Sequence, residues 1–317
     1  MGLGEWRFDG QVVAITGAGG NPGIGRAAAL YLAARGARLV INDVARLPEA
    51  LGYDQPPDAA AVVAEIRAAG GEAVACVASV AEPGGGRAVV ECALDHYGRL
   101  DAVVNNAGLC PVVSFAEMTP ADFRHTLEVN LFGAVRVCRA AWPHLGALGG
   151  RIVNVGSGSM AGYAWQSAYA AAKGALFSFT RVLAVEGRER GVRANLLLPA
   201  ALTRMVYAVQ EPDSPFIAQA RGRLTPEGVA PVAAFLAHAA VPFSGECLEV
   251  RGRRVARWYW ARTPGAEDDW DPERLASRWP EIAAGAASGE VRSDEVDPRR
   301  WHPRPYRPFT PDSGGED

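Results

Sequence analysis

From residue 11 to about 250 the chain alternates short, β-branched apolar runs with longer stretches of helical period. QVVAIT (11–16), ARLVIND (37–43), EAVACV (72–77), LDAVVNN (100–106), GRIVNV (150–155), VRANLLL (192–198) and ECLEV (246–250) read as strands. Between them, Ile24–Arg35, Asp58–Ala69, Arg87–Tyr97, Pro120–Leu145 and Ala168–Arg188 have helical length and spacing. Near-continuous apolar strands separated by helices are the pattern of βαβ units, whose parallel sheet is covered on both faces. The prediction is an α/β fold: a Rossmann-type, doubly wound, seven-stranded parallel sheet with right-handed crossovers, in a single domain over 1–265.

After about Gly265 the texture changes to Pro, Asp, Glu and Arg, and a C-terminal extension over 266–317 is expected. It should be partly helical across Asp271–Ala287 and mobile over its last residues, PYRPFTPDSGGED. Five of the eight tryptophans fall between Trp258 and Trp301, a density that predicts burial against the domain or a second subunit. A tail covering the substrate mouth is the other reading.

Composition removes several partner classes. The hydrophobic share of 49% over 317 residues suffices for a sizeable core. Lys+Arg 32 against Asp+Glu 35 leaves a net charge of -3, so no basic field is expected to hold nucleic acid or an anionic membrane. Cys76, Cys92, Cys110, Cys138 and Cys247 are odd in number and widely spaced, without Cys-x-x-Cys or Cys/His ligand spacing. They read as reduced core residues, and no metal is expected. MGLGEWRFDG lacks a basic stretch followed by an apolar run, and no run reaches the ~20 residues of a membrane span, so a cytoplasmic enzyme is expected.

Of the 32 basic residues only Lys173 is lysine. Arginine supplies charge equally well but as a rigid planar fork of much higher pKa, so a single surviving lysine points to a site that needs a compact ammonium. Tyr169 lies four residues before it, on the same face of a predicted helix. An ammonium there favours the phenolate, which a phenol of free pKa ~10 requires to act as general acid/base near neutral pH.

The first strand runs into TGAGGNPGIGR and then a helix, the context in which a glycine-rich fingerprint binds a dinucleotide. Gly17, Gly19, Gly20, Gly23 and Gly25 allow a tight turn and close approach to a pyrophosphate seated on the helix N-terminus. Asp43 closes the second strand, where a carboxylate accepts hydrogen bonds from the adenosine ribose and repels a 2′-phosphate. NAD is therefore expected over NADP, with Arg46 the residue through which NADP would be accommodated.

YAAAK, NNAG at Asn105–Gly108, VNLFG around Asn130 and GRIVNVGSGS before Tyr169 together resemble the short-chain dehydrogenase/reductase family, in its order and approximate spacing. The resemblance implies that Tyr169 passes the proton and that Lys173 also binds the nicotinamide ribose. It implies that Ser157 hydrogen-bonds the substrate oxygen and that Asn130 holds a water in a proton relay. Ser159 is the alternative serine, because Ser157 lies 12 residues before Tyr169, one fewer than the family spacing. The implied cofactor set is Gly17, Gly19, Asn21, Gly23, Ile24, Gly25, Asp43, Ser79, Val80, Asn106, Ala107, Gly108, Tyr169, Lys173, Pro199 and Thr203.

GGEAVA, RAAWPHL, LAVEGR, LPAALTRM and LTPEGVAPVAAFLAH followed by LEVRGRRVARWYWARTPG extend the resemblance to about residue 265. They are similar to the (3R)-hydroxyacyl-CoA dehydrogenase unit of peroxisomal multifunctional enzyme type 2 and its bacterial stand-alone relatives. This implies a β-hydroxyacyl thioester substrate and, by family habit, a homodimer or homotetramer. Three departures stand out: five residues between Gly17 and Gly23 where three are usual, Ser79 in place of an aspartate near the adenine, and a shortened Ser157–Tyr169 loop carrying Trp165. A ketoreductase of polyketide or cyclic ketones has the same chemistry and a different pocket. A non-catalytic dinucleotide sensor would not need Asn130, Ser157, Tyr169 and Lys173.

Overall fold

The computed structural model, which describes residues 6–47, 55–211 and 213–284, places all of the predicted strand runs in one sheet. These are β1 (Val12–Ile15), β2 (Arg38–Asp43), β3 (Glu72–Val77), β4 (Ala102–Asn105), β5 (Arg151–Val155), β6 (Arg193–Ala200) and β7 (Cys247–Arg251). They are parallel, and with β8 (Arg254–Trp258) the order is β3-β2-β1-β4-β5-β6-β7-β8. The seven-stranded prediction falls one short, since β8 adds antiparallel to β7 through a tight turn. RVARW is mostly exposed, so this edge strand lacks the apolar run by which its neighbours were recognised.

Helices cover both faces because the central strands are apolar on both sides. α1 (Ile24–Ala33), α2 (Ala59–Ala68) and α9 (Pro226–Ala237) bury Leu32, Val62, Ile66, Val229 and Ala233 with Ile15, Leu39 and Val153. On the opposite face α3 (Gly85–Tyr97), α5 (Gly133–Leu148) and α6 (Ser167–Glu186) bury Val89, Val137, Ala141 and Leu183 against Val12, Val103 and Ile152. Each fully buried aliphatic side chain contributes about 1.5–3 kcal/mol, which makes this three-layer core the main source of stability.

Side-chain oxygens start several helices: Asp58 accepts from Ala61 N, Thr119 from Asp122 N and Thr225 from Gly228 N. The predicted helix Pro120–Leu145 is interrupted. α4 (Pro120–Leu127) ends in a π-helical turn, Glu128–Phe132, before α5 begins. A widened turn rotates the next helical residues about the axis, and such turns gather at functional sites. Here the turn carries Asn130, which is buried.

By internal packing the chain forms two units, Met1–Tyr259 and Trp260–Asp317. In the second, α10 (Pro272–Ala283) is capped by Asp271 and lies within the predicted Asp271–Ala287 segment. Among the described tryptophans of this stretch Trp260, Trp270 and Trp279 are exposed, while Trp258 packs partly buried against the core. Trp270 packs instead against the Arg278 guanidinium. Trp301 and the terminal stretch predicted to be mobile lie outside the described residues. No helix among the described residues is long and apolar enough to cross a membrane.

Candidate active site

Strand order reverses between β1 and β4, and ligands of such sheets bind outside the carboxyl ends of the strands at that crevice. A cavity of about 660 Å³ opens there, within the usual range for small-molecule sites. Gly17, Gly23, Ile24, Asp43, Ser79, Val80, Asn106, Ala107, Gly108, Ser157, Tyr169, Lys173, Pro199 and Thr203 line it. Gly19, Asn21, Gly25 and Asn130, also predicted for the site, are not in its wall.

The glycine loop explains most of that division. Gly17 must lack a side chain because a Cβ there would stand 2.6 Å from Ala107 Cα. Gly25 packs α1 onto the β4 loop in the same way, 2.6 Å from Asn106 Nδ2. Gly19 turns its amide to Asp43 Oδ2 (2.8 Å), while its carbonyl accepts from Asp58 N (2.9 Å). The longer loop is also tied at Pro22, whose carbonyl accepts from Arg204 N (3.0 Å).

NNAG holds this loop from the other side of the crevice. Asn106 Nδ2 donates to the carbonyls of Thr16 (2.9 Å) and Gly17 (2.8 Å), and Thr16 Oγ1 accepts from the amides of Asn106 and Ala107. The asparagine side chain is thus occupied in joining the β1 and β4 loops.

Asp43 is buried at the cavity's β2 end. Burial pushes its carboxyl above the ordinary carboxylate range, opposed by the amides of Val44 and Gly19 and by the charge of Arg204. Sequence reasoning stopped at Thr203 and missed Arg204, the first residue of α7 (Arg204–Tyr207). Its side chain lies over the glycine loop, with Nε 2.5 Å from where a Cβ on Gly20 would be. His125 and Arg251 also line the cavity; His125 lies in none of the motifs, and Arg251 lies in LEVRGRR, which carried the resemblance but no site role.

At the other end, α6 presents Tyr169 and Lys173 one turn apart. Lys173 is buried, donates from Nζ to the Val155 carbonyl (2.8 Å), and stands 5.4 Å from the Tyr169 ring centre. Burial lowers its pKa to about 8, with Cys110 opposing weakly. Cys110 is raised to about 11, also by burial, which keeps this thiol protonated.

Ser157 and Ser159 both face the cavity. Ser157 Oγ donates to Ser159 Oγ and accepts from Ser159 N, each at 3.1 Å, and thereby caps the 3₁₀ turn Gly158–Ala161. Asn130 is held by its Nδ2, which donates to the carbonyls of Leu109 and Thr126 at 2.9 Å, while its buried Oδ1 has no partner among the described residues. A Cβ on Gly108 would be 2.6 Å from that Oδ1 and 3.5 Å from Lys173 Nζ. Asn130 and Lys173 therefore converge on one point beneath α6. No group of His, Cys, Asp and Glu able to hold a metal occurs among the described residues.

The family model for short chain dehydrogenase matches residues 11–213. Peroxisomal multifunctional enzyme type 2 of Mus musculus is 38% identical over 283 residues, 87% of this chain but 37% of that protein. Peroxisomal hydratase-dehydrogenase-epimerase of Neurospora crassa is 36% identical over 285 residues, 88% of this chain and 30% of that protein. The chain thus spans about a third of the length of these relatives. Among solved structures, a short chain dehydrogenase from Mycobacterium avium superposes with TM-score 0.75 at 35% identity, covering 90% of this chain and 98% of that one.

Proposed function

The chain belongs to the short-chain dehydrogenase family, oxidoreductases that act on CH–OH groups with a nicotinamide dinucleotide, and from that premise we propose that it oxidises a (3R)-hydroxyacyl thioester with NAD. The observation that carries the reading is the buried Lys173 ammonium one helical turn from Tyr169, in a cavity shared with Ser157 at one end and Asp43 at the other. The wall supports a dinucleotide: bare glycine backbone lines the crevice, and Asp43 lines its β2 end, where a ribose diol would be accepted. Asp43 favours NAD because a 2′-phosphate beside it meets like charge. Bound there, the nicotinamide supplies hydride chemistry.

The remaining work is proton handling and orientation. Ser157 donates to the substrate oxygen, and the Tyr169 phenolate accepts from the substrate hydroxyl and takes its proton as hydride leaves the adjacent carbon. Lys173, charged below about pH 8, stabilises the phenolate of Tyr169. The unpartnered Asn130 Oδ1 and Lys173 Nζ face a common point suited to a water that carries the proton onward. Pairing through α5 and α6 into a homodimer or homotetramer is part of the proposal, and sedimentation showing only monomer refutes that part.

The testing experiment is NADH formation from NAD and a (3R)-hydroxyacyl-CoA chain-length series, beside Lys173→Arg and Tyr169→Phe. Turnover lost in both variants is expected. Activity confined to cyclic or polyketide ketones would move the assignment to a ketoreductase, and dinucleotide binding without turnover of any substrate to a sensor.

A further inference from the structure

Arg251, the last residue of β7, lines the same cavity as Ser157 and Tyr169. From it the chain turns through Gly252 and Arg253 into β8, which sets Arg254 directly across from Arg251. Like charges opposed across antiparallel strands repel. The loop from α8 (Pro215–Ala220) to α9 adds to them: Arg223 has its carbonyl 3.1 Å from where a Cβ on Gly252 would lie, and Arg221 is two residues earlier.

All five arginines are exposed, and none forms an ion pair or side-chain hydrogen bond among the described residues. Among the described residues nine other arginines each hold an Asp or Glu, whereas these five hold none. Glu249 lies two residues before Arg251 and Glu227 in the first turn of α9, yet neither pairs with the cluster. Like-charged guanidinium groups on segments that meet at Arg251, which lines the cavity, are stabilised by a polyanion with several phosphate oxygens, the geometry arginine matches best.

We propose that Arg221, Arg223, Arg251, Arg253 and Arg254 bind the phosphates of coenzyme A. The inference rests on the hydroxyacyl-thioester reading. The 3′-phosphate and diphosphate of coenzyme A are joined to the thioester by a long flexible arm, so the phosphates remain at the rim while the hydroxyacyl carbon reaches Tyr169. An acyl group carried on a protein's phosphopantetheine offers a single phosphodiester and leaves most of the cluster without a partner.

Titration calorimetry of free coenzyme A into the full chain tests this, with NADH saturating so that the adenosine end cannot enter the dinucleotide site. Binding is expected, weakened about tenfold or more in Arg251→Gln/Arg254→Gln and in Arg223→Gln/Arg253→Gln. Dephospho-coenzyme A should bind less tightly than coenzyme A. The ratio of kcat/KM for a hydroxyacyl-CoA to that for the matching N-acetylcysteamine thioester should fall by a similar factor in both variants. The assignment is overturned if coenzyme A does not bind, if both variants bind it as tightly as the parent, or if an acyl carrier protein binds more tightly and loses affinity in the same variants. Oxidation of hydroxyacyl-CoA with arginine-independent affinity would remove the phosphate site and keep the dehydrogenase reading. Arginine-dependent binding without oxidation would do the reverse.

Discussion

The two ends of the central cavity bury opposite charges and treat them differently. At the β2 end, Asp43 is desolvated but receives two backbone amides and the field of Arg204. At the β5–α6 end, Lys173 is desolvated with one neutral carbonyl and no carboxylate, and its pKa falls to about 8. A charge proposed only to recognise a ligand can have its desolvation partly offset by the scaffold. A charge that must act on its neighbour has to be left short of partners, because a carboxylate beside Lys173 would cancel its effect on Tyr169.

Removing the uncompensated charge gives the largest effect. Lys173→Met should lower kcat about a thousandfold, since Tyr169 loses the cation that holds its phenolate. The same substitution should raise unfolding free energy by about 2 kcal/mol at pH 7, the relieved burial exceeding the loss at the Val155 carbonyl. Chemical denaturation reads the gain, and a destabilised variant would show that Lys173 is well accommodated.

The serines probe the catalytic end further. Ser157→Ala should reduce kcat about a hundredfold, and Ser159→Ala only severalfold, if Ser157 is the serine that donates to the substrate oxygen as proposed. Reversed magnitudes would transfer the role to Ser159.

Neutralising the compensated charge should be milder. Asp43→Asn is expected to narrow the preference for NAD over NADP about tenfold in kcat/KM, with kcat little changed. An unchanged preference would show that Asp43 serves only to hold Gly19 and Val44.

The smallest effect is on pH. Between about pH 8 and the ordinary lysine value of 10.5, the unfolded chain keeps a proton that folded Lys173 has released. Stability from this group therefore rises with pH across that window and is flat below it. Over the same window kcat/KM should fall with an alkaline limb near pH 8, as the cation beside Tyr169 is lost. Denaturation midpoints and rate profiles at matched pH test the two slopes together.

Much of this was legible along the chain. The strand runs, the single lysine, the Tyr169–Lys173 spacing, the glycine loop and Asp43 all announce themselves locally, because a buried parallel strand must be apolar and a helical pair must be four apart. β8 escaped notice because an exposed edge strand needs no apolar run. The π-helical turn at Asn130 escaped because its apolar and polar order is that of a continuous helix. The different fates of Gly17 and Gly19 were equally hidden, since a glycine does not reveal which neighbour it meets.

Strand and helix order and the family are matters of residue type at short separation, and residue order alone was enough to read them; the proposed reacting groups were named from the same short-range motifs. Which charges are compensated, the seat of Arg204 over the glycine loop, and the meeting of the Arg221–Arg223 loop with the β7–β8 turn beside the cavity-lining Arg251 all waited on the folded chain. The physical reason is that desolvation and ion pairing depend on what surrounds a side chain, and those surroundings come from segments that meet only when the sheet is assembled.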